Sequence, residues 1–228
     1  MFGWLLQVTD TVSRAADIVA APKKVHLWDI LASGGPLMIP LALLFVLALF
    51  FFIERNIAIR RALSLDDSFM PMVRDHITSG NISAARSVAR NTPNPVARVI
   101  DKGIQRIGKP IDAIERSMES VAQLEMYNLE RNISVLSVIS RAAPIFGFIG
   151  TLAGLMQLFF DINTTGEFVL NTIAGGLYVK LVTSISGLLI GLISFLGHSY
   201  LHVQIDKTAN KMEVAAADFL DILQEPTK

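Results

Sequence analysis

The stretch that decides the fold is Ala174–Leu196, AGGLYVKLVTSISGLLIGLISFL, 23 residues with one charge, Lys180. At about 1.5 Å of rise per residue, a helix of that length crosses a hydrocarbon core about 30 Å thick. Lys180, Thr183, Ser184, Gly187 and Gly191 recur at helical spacings and form one polar or small face. Val179, Leu181, Val182, Leu188, Leu189 and Ile190 fill much of the remaining surface. A lysine at mid-membrane costs roughly 2.5 to 3.5 kcal/mol on the insertion scale, so Lys180 requires a partner, a wet cavity or a route to the interface. The readings of Lys180 are contact with a carboxylate on another chain or a polar subunit boundary, and snorkelling of its ammonium to the membrane surface.

Two further apolar runs lie upstream. Pro36–Ile53 has 18 uncharged residues closed by Glu54 and Arg55, and Ala142–Phe160 has 19 between Arg141 and Asp161. Three spanning helices, 36–53, 142–160 and 174–196, follow. The fold class is therefore all-α, with three transmembrane helices, long helical extensions on the cytoplasmic side and a short N-terminal interfacial helix. The composition agrees, since 52% of the 228 residues are hydrophobic and only 18% are charged. Cysteine is absent, which excludes disulfides and thiolate sites. His198 and His202 are four residues apart, but no acidic residue lies between them, and an interfacial pair is favoured over a metal site. No Gly-rich phosphate loop or nucleophile–base pairing occurs, so neither an enzyme nor a bound cofactor or metal is expected. Nothing points to nucleic acid as a partner.

The net charge of zero hides an asymmetry. Residues 54–141 hold 13 of the 20 Lys and Arg residues, whereas the link 161–173 holds none. The positive-inside rule places 54–141 and the tail 197–228 in the cytoplasm and the link outside, with the N-terminus on the periplasmic side. Residues 1–35 lack a positive n-region, because the first basic residue is Arg14. Phe2, Leu5, Leu6, Val12 and Ile18 suggest an amphipathic helix lying in the interface.

In the cytoplasmic insert, Ser64–Ser79, Ile82–Asn91 and Pro95–Ile107 read as short helices separated by turn residues. From Pro110 to Pro144 no helix breaker appears, and the spacing of Ile114, Met118, Val121, Leu124, Leu129, Ile133 and Leu136 predicts one helix running into the second span. The tail carries a second stripe, Leu201, Ile205, Met212, Ala216, Phe219 and Leu223, continuing the third span. Such stripes require partners within the chain or on neighbouring subunits.

The second span contains Ala143-Pro144-Ile145-Phe146-Gly147-Phe148-Ile149-Gly150-Thr151-Leu152-Ala153-Gly154. Gly147, Gly150 and Gly154, like Gly187 and Gly191 of the third span, suit close helix packing, and Thr151 suits packing or pore lining. This string resembles the Ala-Pro-x-x-Gly-x-x-Gly-Thr signature of the ExbB/TolQ proton-channel family, to which MotA is related more distantly. Trp28 to Pro36 before the first span, Ile53-Glu54-Arg55 after it, and Gly176-Leu177 to Gly187-Leu188 are similar to that family's flanks and third span. The order of elements matches over nearly the whole chain, and ExbB is the nearer likeness.

The resemblance implies an inner-membrane homopentamer embedded in lipid, enclosing a dimer of a single-span ExbD-like protein. The assembly would use the proton motive force to work on a TonB-like protein for outer-membrane import. The same resemblance leaves a TolQ-like or MotA-like stator as an alternative, and a non-conducting membrane scaffold is the alternative from another class. Carried over by position, Thr151 and Ser184 match the family's pore hydroxyls, and Thr183, next to Ser184, joins them in the expected lining of the ion pathway. Val179 falls where many relatives have glutamate, so none of the three spans holds an Asp or Glu. A proton relay through these hydroxyls would need a carboxylate from the partner, or the ion would be sodium.

Overall fold

A computed structural model describes residues 36–166 and 170–224. The expected interfacial helix at 1–35 lies outside the described residues. All regular structure among those residues is helical, in seven helices: α1 (Met38–Leu63), α2 (Phe69–Thr78), α3 (Ile82–Asn91), α4 (Pro95–Ile104), α5 (Ile111–Glu130), α6 (Ile133–Thr165) and α7 (Leu170–Gln224). Three segments are long and apolar enough to cross a membrane: Met38–Leu63 is α1, Ile111–Thr165 takes in α5 and α6, and Ile173–Gln224 lies within α7. Ile39, Val46, Phe50, Met156, Phe159 and Leu188 stay exposed along them. That much contiguous apolar surface is unsuited to water and suits lipid or neighbouring chains.

α7 is a single helix of 55 residues, about 80 Å at 1.5 Å per residue. It passes from the third apolar run into the helical domain without a break. Its buried positions beyond the apolar run, Leu201, Ile205, Thr208, Met212, Ala215, Phe219 and Ile222, keep the three–four spacing of a coiled-coil seam. Four residues of the expected tail stripe, Leu201, Ile205, Met212 and Phe219, lie on this seam, while Ala216 and Leu223 pack at its edge.

The second long helix differs from expectation. Instead of running unbroken from Pro110 into the second span, the chain stops at Glu130 and restarts at Ile133. Arg131 is extended (ψ 134°) and Asn132 is left-handed (φ 68°). Asparagine enters that region more readily than other non-glycine residues, which is why no glycine or proline marked the break. Pro144, in contrast, sits inside α6 without ending it. Two of the short helices are also trimmed: the first begins at Phe69 rather than Ser64, and the third ends at Ile104 rather than Ile107.

Two apolar cores result. One joins α2 to α5 with the end of α7 through Phe69, Val73, Val96, Ile100, Met118, Met212 and Phe219. Gly103 makes room for it, because a Cβ there would lie 2.6 Å from Phe219 Cε1 and 2.7 Å from Met118 Sδ. The other lies where the spans enter the domain and contains Ile59, Ala62, Leu129, Ile133, Leu136, Leu201 and Ile205.

The carbonyls that α1 leaves free at its C-terminus are all satisfied. Ser64 N donates to Arg60 O at 3.1 Å and Ser64 Oγ to Arg61 O at 2.9 Å. Asn94 Nδ2 donates to Ala62 O at 2.9 Å, and Lys211 Nζ to Leu63 O at 3.0 Å. Satisfying such orphans with side chains from α7 and the start of α4 ties the first span to the domain. Asn94 also accepts from Val96 N at 2.9 Å, so one buried side chain caps two helices. Asn94→Ala should therefore lower stability by about 1–3 kcal/mol, read as a fall in the detergent-solubilised protein's melting temperature. Asn91→Ala, at an exposed position of α3, should leave it within about 0.5 kcal/mol.

Candidate functional site

Lipid tails supply no hydrophobic drive between apolar helices, so α6 and α7 associate where small residues let their backbones meet. Gly147, Gly150 and Gly154 on α6 and Gly187 and Gly191 on α7 are all buried. A Cβ on Gly187 would come within 2.5 Å of Ala143 O and 3.0 Å of Gly147 Cα. One on Gly147 would stand 3.1 Å from Ser184 O. Gly191 faces the Pro144 ring and, at 2.9 Å from its notional Cβ, Ser140 O. That carbonyl is the one whose helical donor Pro144 removes.

The hydroxyls and the lysine lie on the same crossing. Thr151 Oγ1 donates to Gly147 O at 3.1 Å within α6 and reaches Lys180 O on α7 at 3.3 Å. Thr183 is 1% exposed, donates to Val179 O at 3.2 Å and sets its Cγ2 3.1 Å from a notional Gly150 Cβ. Ser184 is half-buried. Lys180, also half-buried, lays Cγ, Cδ and Cε over Gly154, in space that any larger residue there would fill.

The structure thus brings Thr151, Lys180, Thr183 and Ser184 to one stretch of the α6–α7 crossing, Ser184 against Gly147, Thr183 against Gly150 and Lys180 over Gly154. Thr183 is enclosed between the helices, whereas Thr151 and Ser184 retain exposure. The lysine stem crosses to the neighbouring helix rather than standing out from α7. None of the three apolar runs contains a carboxylate to pair with this cation.

Past the third run, the His198 and His202 rings stack with centroids 6.1 Å apart. No group of three metal-ligating side chains occurs among the described residues. Burial first, then His202 and Arg141, hold the His198 pKa below its usual 6.5.

Some polar contacts escaped the sequence reading. Arg98 makes a two-pronged ion pair with Glu125, at 2.7 and 2.5 Å, joining α4 to α5. Glu125 is buried, and the 27-residue separation of the pair leaves no local signal. Asn94 carried one, because Asn-Pro before an apolar run marks a helix start. Thr208, fully buried on the α7 seam, donates to Gln204 O and so needs no outside partner.

Three apolar spans with glycine-lined contact and a cation and hydroxyls at the crossing define a polytopic α-helical membrane protein. Residues 91–214, more than half of the chain, match the MotA/TolQ/ExbB proton channel family, and the chain belongs to that family. It is 30% identical over 135 residues to a putative biopolymer transport protein ExbB homolog of Methanothermobacter thermautotrophicus, a match spanning 59% of this chain and 47% of that protein. A putative biopolymer transport protein ExbB-like 1 of Synechocystis is 26% identical over 196 residues, 84% of this chain and 76% of that one. Biopolymer transport protein exbB1 of Vibrio cholerae is 32% identical over 92 residues, 40% of each. The chain therefore spans less than half of the first and third of these relatives.

Gly187→Ala should force the two backbones apart and lower the melting temperature or abolish assembly. Gly175→Ala, with open space where its Cβ would stand, should be neutral or slightly stabilising, because alanine is the better helix former by about 1 kcal/mol. The histidine pair gives a second expectation. The unfolded chain protonates His198 at higher pH than the folded chain does, so stability rises with pH below 6.5 and is lost as pH falls toward the folded value. His198→Gln should flatten the decline of melting temperature between pH 7 and pH 5.5.

Proposed function

We propose that this protein is an ExbB-like subunit of an inner-membrane, proton-driven motor. Five copies would enclose a dimer of a single-span, ExbD-like protein and work on a TonB-like protein that serves outer-membrane import. The observation that carries this reading is the stretch of the α6–α7 crossing along which Thr151, Lys180 and Ser184 lie without an acid among the apolar runs. Hydroxyls orient water and pass hydrogen bonds, but they do not store a proton near neutral pH. A partner carboxylate takes up the proton on the outer side, moves past Thr151 and Ser184, and releases it on the side of the helical domain. Thr183 acts as a positioning residue, wedging Gly150 so that Thr151 and Ser184 stay half-exposed.

Lys180 is the reading's second element. With its stem seated on Gly154, its ammonium is held where an ionised partner carboxylate lowers the energy of both charges. The charge asymmetry of the sequence supports placing the N-terminus in the periplasm and the C-terminus in the cytoplasm. The family also includes TolQ and MotA, so a stator for envelope maintenance or motility is the alternative use of the same machinery.

The test is proton flux into vesicles containing the chain together with a small single-span membrane protein that carries an intramembrane aspartate, sought in the neighbouring reading frame. Flux should require both proteins and fall at least tenfold in Thr151→Val/Ser184→Ala, with assembly unchanged by native mass spectrometry. Full flux in that variant overturns the hydroxyl belt. Lys180→Met should weaken retention of the partner, and unchanged retention with unchanged flux overturns the pairing. Failure of the neighbouring protein to co-assemble favours a scaffold.

A further inference from the structure

Nearer the helical domain than the glycine crossing, α1, α6 and α7 leave a hollow of about 300 Å³ whose lining is almost wholly apolar. Ala48, Ser194 and Gly197 are among the lining residues, where small side chains leave the space open. Phe45, Phe52 and Tyr200 supply aromatic walls, with Phe52 and Tyr200 centroids 6.5 Å apart. Ser194 adds no free polar group, because its hydroxyl donates to Ile190 O at 2.8 Å. Gly197 is close-fitting, since a Cβ there would stand 3.0 Å from Phe52 Cδ2. The hollow runs along the apolar part of α1 and α7 and stops at Tyr200.

Its polar end differs in character. The Arg60 and Gln204 side chains lie beside the Tyr200 phenol, and Lys207 lies close enough to act on it electrostatically. Arg60 and Lys207 are exposed. Two cations and a phenol therefore stand where the first apolar run gives way to charged residues, the depth at which phospholipid headgroups lie.

The geometry points to a binding site for one anionic phospholipid in the leaflet that faces the helical domain. One acyl chain fills the hollow between α1 and α7, and the phosphate meets Arg60, Lys207 and the Tyr200 hydroxyl. The apolar lining excludes a polar occupant, and the cations select an anionic headgroup over a zwitterionic one. A lipid held there would act as a third component of the α1–α7 contact, filling space that the side chains leave open.

The test uses tryptophan fluorescence. Trp4 and Trp28, the two native tryptophans, are replaced by phenylalanine, and a reporter is introduced at Leu196, an exposed residue lining the hollow. A control reporter replaces the equally exposed Val46, which does not line it. Each full-length variant is reconstituted in phosphatidylcholine vesicles containing a minor fraction of phosphatidylglycerol, with bromine on the acyl chains of either lipid. Brominated phosphatidylglycerol should quench the Leu196 reporter several-fold more, per mole of lipid, than brominated phosphatidylcholine does. That preference should vanish in Arg60→Gln/Lys207→Gln, while the Val46 reporter should show none. Equal quenching by both lipids at Leu196 would mean ordinary annular contact and overturn the site. Absence of quenching by either would mean that protein covers the hollow, and would overturn it equally. Neither outcome bears on proton flux, so the proposal stands apart from the motor reading.

Discussion

The close approach of α6 and α7 is the constraint on which the rest depends. In water, burial of apolar surface would hold two such helices together, but within lipid the alternative environment is equally apolar. What remains is short-range packing, which falls away over a fraction of an ångström. The Gly187–Gly147 contact, with Ala143 O so near the position of a Gly187 Cβ, uses that range fully. The same contact sets the level of Thr151 against the Lys180 carbonyl, so the packing that holds the spans also fixes the hydroxyls.

Much of this was legible in the chain. Three apolar runs, the glycine spacing and the tail stripe all follow from periodicity, and they correspond to α1, α6 and α7. The break at Arg131–Asn132 did not follow, because an asparagine in left-handed conformation has no compositional mark, and the apolar stripe on either side continues in phase. Pro144, inside the expected second span, does not end its helix. Its missing donor frees Ser140 O within a helix that packing holds straight enough to continue, against Gly191 on the neighbouring span. The pairing of Arg98 with Glu125 and the double cap at Asn94 are tertiary facts, set by how α4 meets α5 and α1.

At the site, residue types were easier to read than directions. The stripe of Lys180, Thr183, Ser184 and Gly187 placed all four on one face, yet a helical face is broad enough to divide them. Thr183 turns into the crossing and is enclosed, Ser184 lies at its edge, and Lys180 reaches across to Gly154. Periodicity alone does not distinguish these fates, because they depend on the angle at which the second helix arrives.

The two long helices transmit movement differently. α7 carries Lys180 and Thr183 near one end and Met212 and Phe219 near the other, in one uninterrupted hydrogen-bonded rod. A tilt of α7 at the crossing must therefore appear in the core formed by α2 to α5. α6 has no such continuity, since its backbone ladder stops at Asn132 and α5 begins a separate one. Ile133 and Leu136 on α6 and Leu129 on α5 nevertheless share a core with Ile59, Leu201 and Ile205. The domain is thus coupled rigidly to the third span and through a two-residue joint to the second. Relative movement of the two spans would be taken up at Arg131–Asn132, the least regular backbone between them and the helical domain.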